Sequence, residues 1–590
     1  MVANNFVRTV IVCSAVFALF ASLVAFKAQE RAYNAVVIEG GTLIDGTGSP
    51  PRPVQALVIV GNRIKEIVSP GGTVQVPPGA QRIRAEGLTM VPGLIDSHVH
   101  SRGFDGELYL SHGVTSVLDV SNPTDWILAQ RDGVAKGKIF GPRLFVAGGA
   151  INSPLGGFET FTWHERVRNA EEAGQAVRIR AGQRVDLIKV HAGVTPSQLQ
   201  GVTREAHRAG LNVMGHLGVT DAREAAEAGI DALAHISGVE LALAPPAVQE
   251  RVKAGGRFAT GDNAQVIDYA LAEANAGALA KLLVEKHVRI EPDLVLKAKG
   301  TAKQWPQFSF ENYQLLSNPE LTYIWPSAKD RWLFLLPGND FSLGREEDYV
   351  QLMSAEARAK RTDALVKSYN FHISFLKKFV AAGGEIIAGT DAQHYVIPGL
   401  SFQQELQLMV EDVGMTPMQA LVSATRNPAR FVHQEKDLGT LEAGKLADLL
   451  LVRGNPAENI RNIRNIEKVI QDGKIVEPGY HRWYRNPISR PLNETGGINP
   501  VPLLTSLTPG IATEGDAEVT LTIKGSRFVP GCVVTFNGLA LPLVSGNRNQ
   551  LTVKLQKSEL MAAGAFPVVV KNPPPEGGSS EPLSFMVKFR

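Results

Sequence analysis

From residue 93 to residue 435, short apolar runs alternate with amphipathic stretches, and this alternation constrains the fold more than any other feature. The apolar runs include VTSVLDV (114–120), RLFVAGG (143–149), VDLIKV (185–190), NVMGH (212–216), ALAHI (232–236) and EIIAGTD (385–391). Between them lie stretches with helical period, such as SQLQGVTREAHRAG (197–210). Buried strands alternating with helices give βαβ units and a parallel sheet. Six or more such units over about 340 residues predict a (β/α)8 TIM barrel with one insertion. The insertion is expected at 296–370, a Trp-, Phe- and Tyr-rich segment before the last strand, of the kind that forms lids.

The flanks are different. Residues 35–92 carry AVVIEGGTLIDG and ALVIVGNRIKEIV, β-rich and broken by the turn signal Gly61-Asn62. The same texture returns in LADLLLV (446–452) and KVIQDGKIV (468–476), with Asp472-Gly473 as the turn. A composite β-sandwich built from 35–92 and 436–478 is expected, enclosing the barrel unit 93–435. Residues 479–499, rich in Pro, Gly, Asn and Arg, are expected to be a linker. The last unit, 500–590, alternates with period two at Val519, Leu521, Ile523; Leu551, Val553, Leu555; and Phe585, Val587, Phe589. That pattern predicts an immunoglobulin-like β-sandwich.

At the N-terminus, Arg8 precedes the uncharged run Thr9–Phe26. A charged residue followed by such a run predicts a signal peptide over 1–28 and hence export. An uncleaved anchor through residues 9–26 is the alternative, since the run is long enough to span a bilayer. The destination is periplasmic, extracellular, or membrane-anchored facing outside. Of the two cysteines, Cys13 lies in this run and Cys532 near the other end, so no internal disulfide is expected. Lys+Arg 60 against Asp+Glu 58 gives a net charge of +2, no basis for a nucleic-acid partner.

The chemistry sits at the strand ends. VPGLIDSHVH ends in His98 and His100, spaced i, i+2, so both imidazoles leave a strand on one face. At the C-terminal end of a barrel strand that face opens on the active site. With 13 His in the chain, about 0.3 such pairs arise by chance. The supporting context is that His216, His235 and Asp391 each end another predicted strand. Imidazole and carboxylate groups converging there suit zinc or a similar divalent ion. Lys189 lies inside the apolar VDLIKV, where an ammonium is costly to bury. It must be neutralised, paired or modified, and a carboxylated lysine would supply an anionic bridge between two cations. His191, two residues on, shares its face; His164 and His394 fall in loops at the barrel top. These three are candidate substrate contacts.

Taken in order, VPGLIDSHVH, VDLIKV, AGLNVMGH, AGIDALAH, GEIIAGTDA and LGTLEAGKLADLLLVRGNP (438–456) resemble the amidohydrolase superfamily, in its imidazolonepropionase-like and Xaa-Pro dipeptidase-like group, over about 35–478. The resemblance implies two divalent metals, zinc first with manganese, iron or cobalt as alternatives. A CO2-derived carbamate on Lys189 would bridge them. It implies that His98, His100 and Asp391 hold one ion and His216 and His235 the other. A metal-bridging hydroxide would attack an amide carbonyl, with Asp391 passing its proton to the leaving amine. LTSLTPGIATEGDAEVTLTIKGSRFVPGCVVTFNG (504–538) and FPVVVKNPPPEGGSS (566–580) resemble an IPT/TIG domain, implying adhesion, spacing or homo-oligomer contacts.

The expectation is therefore an exported hydrolase of a small peptide, N-acyl amino acid or cyclic amide. Two alternatives stay open: a one-metal deaminase of the same superfamily, which has no need of Lys189, and a non-catalytic surface-binding protein on a degenerate barrel.

Overall fold

The structure, a computed structural model, describes residues 35–153, 163–253, 267–324, 328–329, 332, 355–392, 395–488, 490, 500–529, 531–547, 549–573 and 577–590. The expected signal segment and His394 lie outside these residues. No helix among the described residues is long and apolar enough to cross a membrane.

Parallel strands run in order around a TIM-type barrel. Leu94–Val99 pairs with Val114–Asp119, which pairs with Arg143–Val146. The next junction is carried by Asp186 N–H donating to Val146 O at 2.8 Å. Ile188–Val190, Val213–Gly215, Ala232–Ala234 and Arg289–Glu291 then follow in register. Segment 386–392 closes the ring through the parallel bridges Ile290–Ile386 and Val99–Ala392. Two side-chain bonds fasten this closure: Ser97 Oγ donates to Ala388 O and Thr390 Oγ1 to Asp96, each at 2.7 Å. Ile95, Leu118, Phe145, Leu187, Met214 and Ile387 fill the interior below the strand ends. Each fully buried side chain of this kind contributes about 1.5–3 kcal/mol relative to exposure.

The helices follow from local rules. Pro196–Arg208 starts with Pro at its first position, behind a capping box in which Thr195 N–H donates to Gln198 Oε1 at 2.9 Å and Thr195 Oγ1 accepts from Gln198 N–H. Leu199, Val202 and Ala206 make the buried stripe, and the left-handed Gly210 (φ 70°) follows its end.

Strands from both flanks build the sandwich beside the barrel. One sheet is ordered Arg63–Val68, Ala56–Val60, Ala35–Glu39, Gln81–Arg84. In the other, Leu88–Pro92 lies between Thr42–Leu43 and Leu449–Arg453. Ile38, Leu57 and Ile59 meet Met90, Leu449 and Ile470 between the sheets. Asp472 (φ 52°) and Gly473 (φ 73°) both take the left-handed conformation required by the tight hairpin between Ile466–Gln471 and Lys474–Val476.

Two sequence expectations shift. The segment assigned to an insertion ending at 370 gives way earlier to a long helix, Ala355–Ala381, that leads into the last barrel segment. Its chain is too regular and too well packed through Tyr369, Phe371 and Phe375 to belong to a loop. Residues 479–488 and 490, expected as linker, pack on the barrel. In the C-terminal sandwich Leu521, Ile523, Val553, Leu555 and Phe585 form the core. Phe589 is 83% exposed, because its strand ends at Lys588.

Candidate metal centre

The strand ends bring six histidines into one arc. Successive ring centroids are 5.2 Å apart from His164 to His191, 4.8 Å to His216, 4.7 Å to His235, 4.6 Å to His98 and 5.4 Å to His100. His98 is fully buried, while His100, His235 and Asp391 keep 12–14% of their side-chain surface toward the mouth. His98 Nε2 and His100 Nε2 face the same oxygen, Asp391 Oδ1, at 3.5 and 3.0 Å. Lys189, 3% exposed, places Nζ 3.4 Å from His98 Nε2. Of the sequence candidates, only His394 is not located.

Burial, and then the nearby Lys189, hold His98 well below the ordinary imidazole range. The same two causes bring His191 down to about 3. Burial and then His191 depress His164, and burial and then His235 depress His216. Near neutrality these four rings are therefore uncharged and carry lone pairs. Burial lowers Lys189 to about 8 against the pull of Glu291, Asp391 and Asp293, so an appreciable fraction is the free amine that carboxylation requires.

Two further residues escaped the sequence reading. Glu291 ends the seventh barrel strand and Asp293 lies two residues on, both wholly buried. His98 Nδ1–H donates to Glu291 Oε2 at 2.8 Å, and His235 Nδ1 pairs with Asp293 Oδ2. Each contact leaves Nε2 of its ring for another partner, the arrangement that orients metal-binding imidazoles. Room for Glu291 comes from Gly389, where a Cβ would lie 2.4 Å from Glu291 Oε1. The signal was present: in VRIEPD an apolar run ends in carboxylates, as other runs end in histidine.

Three of these strand-end residues, His235 (φ 60°), Asp293 (φ 48°) and Asp391 (φ 55°), adopt left-handed backbone. Such conformations in non-glycine residues cost about 1–3 kcal/mol each and cluster at working sites.

The donor set fits divalent metal. His98, His100 and Asp391 offer ligand atoms all within 4.8 Å of one another, and so do His98, His235, Glu291 and Asp293. Nitrogen and carboxylate oxygen in that mixture suit zinc and its neighbours.

Residues 89–244 and 371–476 match the model of the amidohydrolase family, and 502–587 match the IPT/TIG domain. The chain belongs to the amidohydrolase family. Membership makes this amidohydrolase a hydrolase acting on carbon–nitrogen bonds. It is 23% identical to an ochratoxinase from Aspergillus niger over 500 residues, covering 77% of this chain and 90% of the relative. An imidazolonepropionase of a Geobacillus species is 33% identical over 103 residues, 17% of this chain and 24% of that one. Among solved structures, an Xaa-Pro dipeptidase with bound methionine superposes with TM-score 0.51 at 22% identity, over 75% of this chain and 100% of that chain. The interruption of the family match between 244 and 371 contains the strand Arg289–Glu291 and, among the described residues, the helices Tyr269–Glu285 and Trp305–Leu316.

Replacing Glu291 by glutamine, or Asp293 by asparagine, is expected to weaken metal binding about 10- to 100-fold with little change in melting temperature. Titration with a chromophoric chelator in competition checks this.

Proposed function

We propose that this amidohydrolase is a binuclear enzyme that cleaves an amide bond in a small acylated amino acid, dipeptide or cyclic amide, acting outside the cytoplasm. The observation that carries the reading is the arc of six imidazoles around a buried lysine, with Asp391 in contact with two of them. Packing alone gives no reason to bury that many lone pairs together.

In this reading His98, His100 and Asp391 would hold one cation and His216 and His235 the second, and Lys189 would serve them as an anionic ligand in its carbamate form. Bound divalent cations acidify water and polarise a carbonyl. The remaining work falls to the chain. Asp391, reached from the mouth, accepts a proton at its carboxylate and delivers it to the departing nitrogen. Glu291 and Asp293 fix the rings of His98 and His235 from behind. His191 and His164, neutral and next in the arc, offer N–H groups to the substrate carbonyl. Aliphatic side chains below the strand ends keep bulk water out. Similarity to proteins named as a dipeptidase and an ochratoxinase supports a small substrate.

The test couples metal analysis to a substrate screen. Two equivalents of metal per chain are expected, together with release of a free amine or amino acid from N-acyl amino acids, Xaa-Pro dipeptides or cyclic ureides. One equivalent with ammonia as product would replace this reading by a one-metal deaminase.

A further inference from the structure

Residues 477–501 fall between the two family matches. Their described part is laid along the barrel. Ser111 Oγ bonds both the N–H and the carbonyl of Gly479, each at 3.0 Å, and His481 Nδ1 meets Glu107 Oε1 at 2.8 Å. Tyr484, 5% exposed, donates its hydroxyl to Phe140 O at 3.0 Å. Its place exists because residue 106 is glycine; a Cβ there would sit 2.4 Å from that hydroxyl. Asn486 Nδ2 donates to Gln130 at 2.7 Å, and Trp126 Nε1 donates to Ile488 O at 3.3 Å.

The segment then delivers Arg490 among the loops that follow the first three barrel strands. Arg490 is 7% exposed, with its guanidinium 4.9 Å from the Trp163 ring and 5.8 Å from the Trp126 ring. Its Nε donates to Asn122 Oδ1 at 3.1 Å. Asn122 Nδ2 in turn donates to Asp119 Oδ2 at 2.7 Å and Ser101 O at 3.2 Å. Trp163 Nε1 donates to Ser121 Oγ at 3.2 Å. Ser121 contacts two histidines of the arc: its Oγ is 3.1 Å from His164 Nε2, and its carbonyl accepts from His100 Nδ1 at 3.0 Å.

A buried arginine forfeits hydration, and two indole faces plus one amide oxygen are a specific replacement for it. We propose that residues 479–488 together with Arg490 are a strap that completes the active site, with Arg490 the positioning residue that holds Trp163 and Asn122. Ser121 thereby keeps the His100 ring turned with Nε2 toward Asp391 and the His164 ring toward its place in the arc. This rests on the metal-binding role given to His100 above.

The test uses the full chain and two variants, Arg490→Ala and Trp163→Phe; the second keeps an aromatic face and removes the bond to Ser121. Co(II) absorption titrations and kinetics are measured on both, on the parent and on the double variant. Arg490→Ala is expected to weaken Co(II) binding and to lower kcat/KM about 10- to 100-fold, mostly through kcat. Methylguanidinium, which fits the vacated space, restores a part of both. Trp163→Phe shows a smaller loss, and the double variant loses less than the product of the two single losses. Parental Co(II) spectra and kinetics in Arg490→Ala overturn the strap. So do losses that multiply independently in the double variant. Where Arg490→Ala does not fold, an unaltered Co(II) spectrum and kcat in Trp163→Phe overturn it. A parent that takes up no Co(II) fails on a separate arm, removing the metal reading on which the strap depends.

Discussion

Asp391→Asn is expected to lower kcat about 10,000-fold, the upper end of what one positioned proton carrier contributes. Asparagine is nearly isosteric with aspartate, so the left-handed backbone at φ 55° is kept; Asn tolerates that region well. What changes is charge and basicity. Oδ1 of Asp391 faces Nε2 of both His98 and His100, so the substitution also replaces a carboxylate by an amide beside these two rings and weakens the hold on a cation. Metal content separates the two effects. Parental metal with the rate lost assigns Asp391 to proton transfer; metal and rate lost together assign it chiefly to binding. A variant keeping a tenth of the parental kcat with full metal would remove Asp391 from the chemistry.

Lys189→Met is expected to cost on the order of 1,000-fold in kcat/KM and one of two metals. Methionine matches the lysine stem as far as Cε and is at home in a buried strand, so packing of Ile188–Val190 between its neighbours survives. The variant therefore isolates the amine. Burial already brings that amine to about 8, and a carbamate formed on it would add an anionic ligand for two cations. Bicarbonate enriched in carbon-13 should give a carbamate signal in the metal-loaded parent and none in Lys189→Met. Full activity in the variant would point instead to a one-metal centre.

Legibility in the sequence followed physical signal strength. The barrel could be read because parallel strands such as Val213–Gly215 are apolar throughout and their helices are not. The IPT/TIG domain could be read from period two at Leu521 and Ile523. Histidines at strand ends are conspicuous because imidazole is rare there. Glu291 and Asp293 end a strand equally, yet carboxylates after a strand are common at any surface, and only the fold shows these two buried against His98 and His235. The strap was hidden for the opposite reason. Its Pro, Gly and Asn content has the composition of a spacer, while its anchors, Tyr484 and Arg490, find their partners more than 300 residues earlier in the chain.

The sheet that joins both flanks also sets a timetable. Leu88–Pro92 pairs with Leu449–Arg453, and Thr89 Oγ1 donates to the carbonyl of Gly454, 365 residues further on. At about 5–20 residues per second, a ribosome needs on the order of half a minute to deliver that partner. Throughout that interval one edge of Leu88–Pro92 offers bare amide and carbonyl groups beside apolar Met90 and Val91. The newborn chain thus carries a sticky border that stays open until Leu449–Arg453 is made, and its yield in any host depends on what shields that border in the meantime.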